Sequence, residues 1–150
     1  MHTIDTTAPV VVGLTTQIDA PLATVWSVHT DVDDWPTWNT GIDQARLDGP
    51  MAVGTSFTWL THGMSITSTV RELVPGRRIV WDGTVQGIVG IHVWTFERTE
   101  DDGVVVRTEE SWSGAPVEAA DAAADELTTA LRTSLQSWLD RLKARAEQPA

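Results

Sequence analysis

Apolar residues alternate with polar ones through most of the chain and switch to steps of three and four near its end. In residues 9–18, Val10, Val12, Leu14, Thr16 and Ile18 share one parity and Gly13, Thr15 and Gln17 the other. That is the pattern of a half-buried strand. Asp19-Ala20-Pro21 reads as a helix start, with Asp19 as cap and Pro21 in the first turn. Leu22, Val25, Trp26 and His29 follow at helical spacing, with His29 free to look inward or outward. Residues 33–39 form a second short helix or turn, carrying Trp35 and Trp38. From residue 42 the pattern is that of strands: 42–47, 55–61, 64–73, 78–85, 88–98 and 104–113. Turn signals at His62-Gly63, Pro75-Gly76 and 100–103 make them successive antiparallel hairpins. Residues 116–146 carry Ala120, Ala124, Leu127, Leu131, Leu135, Trp138 and Leu142 on one helical face. At about 1.5 Å per residue, such a helix is long enough to cross a whole sheet.

Turn placement sets the register. A two-residue turn at His62-Gly63 pairs Trp59 with Ile66 and Phe57 with Ser68. A turn at Pro75-Gly76 pairs Val70 with Trp81. One face then holds Phe57, Trp59, Met64, Ile66, Ser68, Val70, Ile79 and Trp81, continued by His92, Trp94, Phe96, Val106, Thr108, Glu110 and Trp112. The opposite parity is mostly Thr, Arg, Glu and Asp, with Leu60, Val80, Ile91 and Val93 as exceptions. The aromatic face is therefore the inner one.

The composition narrows the function. The 150 residues suit a single domain, 1–150, with its core at about 9–146 and short loose tails at 1–8 and 147–150. A net charge of −11 with only 10 Lys and Arg argues against nucleic acid and an anionic membrane surface. No apolar run approaches a membrane span, and the first residues carry no secretion signal. With no cysteine, thiolate chemistry and disulfides are excluded, and the expected location is the cytoplasm. The four His have no metal-site spacing, and neither a phosphate loop nor a GxSxG elbow is present, so no metal and no cofactor are expected. Eight Trp beside two Phe and no Tyr point to an unusual core or to a pocket for a flat ligand.

Two ionisable groups fall among the inner tryptophans. A register pairing Phe96 with Val106 places His92 opposite Glu110, within hydrogen-bonding reach. A slip of two residues would put Glu110 beside Trp94 instead. The pair is a candidate acid/base couple or ligand anchor, and the plain alternative is a satisfied polar pair within the core.

The element order and several local segments resemble the START-like superfamily of polyketide cyclases, dehydrases and lipid-transport proteins, also called SRPBCC or helix-grip proteins. The segments are Ile18-Asp19-Ala20-Pro21 with Val25-Trp26, Asp33-Asp34-Trp35-Pro36-Thr37-Trp38, Val70-Arg71-Glu72-Leu73-Val74-Pro75, Ile79-Val80-Trp81, His92-Val93-Trp94-Thr95-Phe96 and Thr108-Glu109-Glu110-Ser111. The resemblance implies an α+β helix-grip fold: a curved seven-stranded antiparallel sheet, two short helices and a long C-terminal helix around an apolar cavity. It implies that Trp59, Trp81, Trp94, Trp112, Phe57, Met64, Ile66, Ser68, Val70, Phe96, Thr108, Leu127 and Leu131 line that cavity. It also implies that Glu110 and His92 carry any catalysis, Trp35 and Trp38 acting at most as a lid. The inner list has no Arg and the chain no Tyr, which keeps a non-catalytic binding or carrier protein for a lipid or flat apolar ligand open beside a cyclase or dehydratase. A co-chaperone module would need an exposed apolar patch, for which Ile91, Val93 and Leu60 are the candidates. The expected partner is an apolar small molecule, with a homodimer left open.

Overall fold

The computed structural model describes residues 2–149. Seven strands form one antiparallel sheet in the order β1-β7-β6-β5-β4-β3-β2. They are β1 (Val10–Ile18), β2 (Gln44–Leu47), β3 (Ser56–Thr61), β4 (Met64–Val74), β5 (Arg78–Val85), β6 (Ile88–Arg98) and β7 (Val104–Ser113). Neighbours in sequence are neighbours in the sheet from β2 to β7, because each connection is short, from two residues at 62–63 to eight at 48–55. β1 alone crosses over, to pair with β7. The crossover carries helix α1 (Leu22–Thr30), one 3-10 turn and α2 (Trp35–Trp38). After β7 come α3 (Ala115–Glu118) and α4 (Asp121–Ala146).

The hairpin at His62-Gly63 has both central residues at positive φ, 51° and 73°. Its backbone twist matches that of the flanking strands, and it yields the expected pairs Trp59–Ile66 and Phe57–Ser68. The next turn has three residues, Pro75, Gly76 and Arg77, since Val74 pairs with Arg78. A bulge between Val70 and Glu72 takes up the extra residue, and Val70 meets Trp81 as expected.

The expected terminal helix is broken. Ala120 is extended, with φ −161° and ψ 142°, and it separates α3 from α4. Pro116 suits the first turn of α3, where its missing N–H costs nothing. α4 covers the inner face with Leu131, Leu135, Trp138, Leu139 and Leu142, all buried. Its apolar stripe is thus used within the chain. The start of α1 also differs from expectation: Pro21, not Asp19, is the cap, with no side-chain bond. The Asp19 N–H instead donates to Glu147 Oε2, tying β1 to the end of α4.

The N-terminal tail is pinned at Ile4 rather than loose, with His2, Thr3, Thr6 and Thr7 exposed around it. Ile4 is buried against Val80 and Val93 on the outer face, with Val11 and Ile91 beside it. The Asp5 N–H donates to Ser111 Oγ, and Arg78 donates to the His2 carbonyl. The outward apolar residues Val80, Ile91 and Val93 therefore have a cover, which removes most of the patch that a co-chaperone surface would need. Met1 and Ala150, the ends of the two tails, lie outside the described residues.

Candidate ligand and active site

The inner face carries the expected residues. Phe57, Val70, Ile79, Trp81, Trp94, Phe96, Val106, Ser68, Thr108 and His92 are buried. Trp59, Met64, Ile66, Trp112 and Leu127 are half-buried, at the rim. Leu131, on the inward face of α4, is buried.

His92 and Glu110 are direct cross-strand partners on β6 and β7. His92 Nδ1 lies 2.9 Å from Glu110 Oε1, a close polar contact off the line of a hydrogen bond. His92 Nε2 is 2.7 Å from Thr108 Oγ1, two residues along β7. With Nδ1 facing a carboxylate, the ring suits the tautomer protonated there, and Nε2 then accepts from the Thr108 hydroxyl. The other Glu110 oxygen, Oε2, accepts a short hydrogen bond from Trp112 Nε1. Thr108, His92, Glu110 and Trp112 thus form one polar chain, running from the buried interior to the half-exposed rim. The His92 side chain is 3 % exposed and that of Glu110 is 14 %, so the carboxylate is the end nearer solvent.

Sequence reasoning missed the group nearest the centre. His29, on the last turn of α1, is fully buried. Its ring lies 4.4 Å from Trp94, 5.2 Å from Phe96 and 5.8 Å from Trp81 between centroids. Neither ring nitrogen has a hydrogen-bond partner among the described residues. Val25 and His29 are four apart on α1 and both buried, so helical spacing from an apolar anchor was the available signal.

Burial, and after it the neighbouring His92, pushes the His29 imidazole down to about 3 from the ordinary 6.5. A charged ring there would lose its water without gaining a partner. The unfolded chain takes up a proton near pH 6.5 that the folded chain refuses until about pH 3. The stability tied to this group is complete above pH 6.5 and falls away as the pH drops toward 3, by about 1.4 kcal/mol per pH unit. Replacing it, as in His29→Phe, should remove that part of the slope, read from urea midpoints across the same window. An unchanged slope would mean that His29 is hydrated or already paired.

Trp35 is the second correction. It is no lid: it is fully buried at the centre of the core. Its ring stands 5.2 Å from Trp138, 5.4 Å from Phe57 and 5.7 Å from Trp81. Its indole N–H donates to the His29 carbonyl at 2.8 Å, joining α2 to the end of α1. Trp38 is buried as well. Where an open cavity was expected, Trp35 from α2 and Trp138 from α4 reach in and meet the sheet tryptophans. Trp138 lies 5.3 Å from Trp94 and 5.6 Å from His92. A ligand entering this space therefore has to displace rings. The half-buried Trp59, Trp112 and Leu127 are the side chains best placed to yield.

The buried polar residues among those described are His29, Asn39, Thr61, Ser68, His92, Thr108 and Ser111, none of them Lys or Arg. The interior thus offers hydrogen-bonding groups and one carboxylate edge, with no buried Lys or Arg among the described residues to hold an anionic ligand. No helix among the described residues is long and apolar enough to cross a membrane.

Comparison with solved structures places the architecture. A hypothetical protein of Helicobacter pylori superposes with a TM-score of 0.83 at 22 % identity, over 98 % of each chain. The di-domain ARO/CYC protein BexL, from the BE-7585A biosynthetic pathway, matches at 0.78 and 21 %, over 97 % of this chain and 53 % of its own. A START superfamily protein of Mycobacterium smegmatis matches at 0.63 and 15 %, over 88 % of this chain and 98 % of its own. No curated protein matches. The family model described as polyketide cyclase / dehydrase and lipid transport matches residues 9–147, and the chain belongs to that family, with the START-like helix-grip fold.

Proposed function

We propose that this protein binds a neutral, flat, polyketide-like or aromatic molecule between the sheet and α4, and acts on it as a cyclase or dehydratase. The observation that carries the reading is the Thr108–His92–Glu110–Trp112 chain set among tryptophans. Glu110 is the candidate catalytic residue and His92 its positioning partner. When Trp112 turns aside for a ligand, Oε2 becomes free to take a proton from a carbon flanking a carbonyl. That carbon then closes on a second carbonyl, and the proton returns to the oxygen so formed. A second transfer of the same kind removes that oxygen as water. The tryptophans exclude bulk water and hold the flat substrate. The absence of cysteine fits a reducing compartment, and the proposed location is the cytoplasm.

A non-catalytic carrier is the second reading, and one observation favours it. Both Glu110 oxygens are already engaged, by His92 and by Trp112, so the same geometry serves to anchor a ligand hydroxyl. Titration with 2-naphthol, followed by tryptophan fluorescence, tests the binding that both readings require. Saturable quenching is expected. Quenching that rises linearly with no plateau would leave neither reading standing.

A further inference from the structure

A second polar centre lies deeper than the His92–Glu110 pair. His29 Nδ1 and Nε2, Trp94 Nε1 and Trp138 Nε1 are all buried and all without a hydrogen-bond partner among the described residues. Trp94 is the common neighbour of the other two: its ring lies 4.4 Å from that of His29 and 5.3 Å from that of Trp138. Buried polar atoms in folded proteins are nearly always paired, and a group of orphans in one place calls for a partner that the chain does not supply. As a neutral imidazole, His29 offers one donor and one acceptor, and the two indoles offer donors only. An oxygen that can both accept and donate, as in a phenol or an enolised carbonyl, is the ligand group that suits such a set. A carboxylate would enter with a charge that no buried Lys or Arg meets.

We infer that His29, with Trp94 and Trp138, forms an inner hydrogen-bonding subsite that selects a neutral aromatic ligand carrying a hydroxyl or enolisable carbonyl at its buried end. The inference rests on the binding reading above and adds the chemical class of the ligand and its direction. The oxygenated end points to α1, and the other end lies at Glu110 and Trp112. His29 is then a specificity-determining residue rather than part of the acid/base chain. It has no role to play at the reacting carbon near Glu110.

The test uses the full chain and three probes of one shape: naphthalene, 2-naphthol and 2-naphthoate. The wild type should bind 2-naphthol about tenfold more tightly than naphthalene, the worth of one well-made hydrogen bond, and should bind 2-naphthoate least. His29→Phe keeps the ring and removes both nitrogens. It should bind naphthalene and lose the tenfold preference for 2-naphthol. A variant that keeps the preference for 2-naphthol overturns the inference and leaves the binding reading intact. If the wild type binds none of the three probes, the binding reading falls and the inference with it. The ring nitrogens of His29 in the wild type provide a second readout, which does not depend on the variant folding. Their 15N shifts should move on adding 2-naphthol and stay in place on adding naphthalene. Equal movement with both probes would contradict a hydrogen-bonding role.

Discussion

Glu110→Gln should lower turnover by roughly 10²–10⁴-fold, the usual contribution of a general acid or base. The substitution keeps the size of the side chain and its ability to accept from Trp112 Nε1, but removes the group that can move a proton. Glu109 provides the control. It has the outward parity and stands 3.5 Å from Arg107 on the exposed face, so Glu109→Gln should change little. His92→Ala should impair turnover by loosening Glu110. The double variant should be little worse than the worse single one, because the two act as a unit. The assay is turnover of a polyketide-like substrate by the wild type and the four variants. Normal turnover by Glu110→Gln, with weakened binding only of hydroxylated ligands, would make Glu110 an anchor and place the proton transfer elsewhere, whereas binding with no turnover by the wild type would make the protein a carrier.

Trp35→Ala should cost about 3–5 kcal/mol of folding stability, the range for removing a large buried aromatic ring. Trp35 touches the sheet through Phe57 and Trp81 and touches α4 through Trp138, so its loss opens a hole that three elements share. The same change strips the His29 carbonyl of its indole partner. Trp35→Phe retains most of the ring and loses the hydrogen bond, and should cost less. Urea midpoints distinguish the two. A loss below about 1 kcal/mol for Trp35→Ala would mean that the ring is a movable lid after all, since a lid contributes little to the core.

The sheet was legible because its face pattern has period two and its turns are short. The pairing of His92 with Glu110 follows from the Phe96–Val106 register alone, and the structure has it. The Val70–Trp81 pair was reached for an incomplete reason. The Pro75-Gly76 turn is one residue longer than its sequence suggests, and the bulge after Val70 cancels the difference. Bulges leave no mark in an alternating pattern until the partner strand is known. The helices that close the fold were less legible. Trp35 and Trp38 lie in a segment of four helical residues, too short for a periodicity to show which face is buried. Proline so near the start marked the helix but not its direction. Ile4 is a single apolar residue in a polar tail, and only the uncovered outward trio Val80, Ile91 and Val93 hinted that something must lie on them. The inner subsite escaped for a different reason. Unpaired nitrogens are a property of packing in three dimensions, and sequence shows only that a histidine and several tryptophans exist.

The central claim is that a neutral aromatic ligand enters the space between the sheet and α4. The eight indole N–H groups report on it directly, each through its own 1H–15N signal. Titration with 2-naphthol should move the signals of Trp94 and Trp138, which are buried and unpaired, and that of Trp112, which donates to Glu110 at the rim and would turn aside as a ligand enters. The three should saturate together with one dissociation constant. Signals that move only at the rim, at Trp59 and Trp112, with Trp94 and Trp138 unchanged up to the solubility limit of the probe, would contradict the claim.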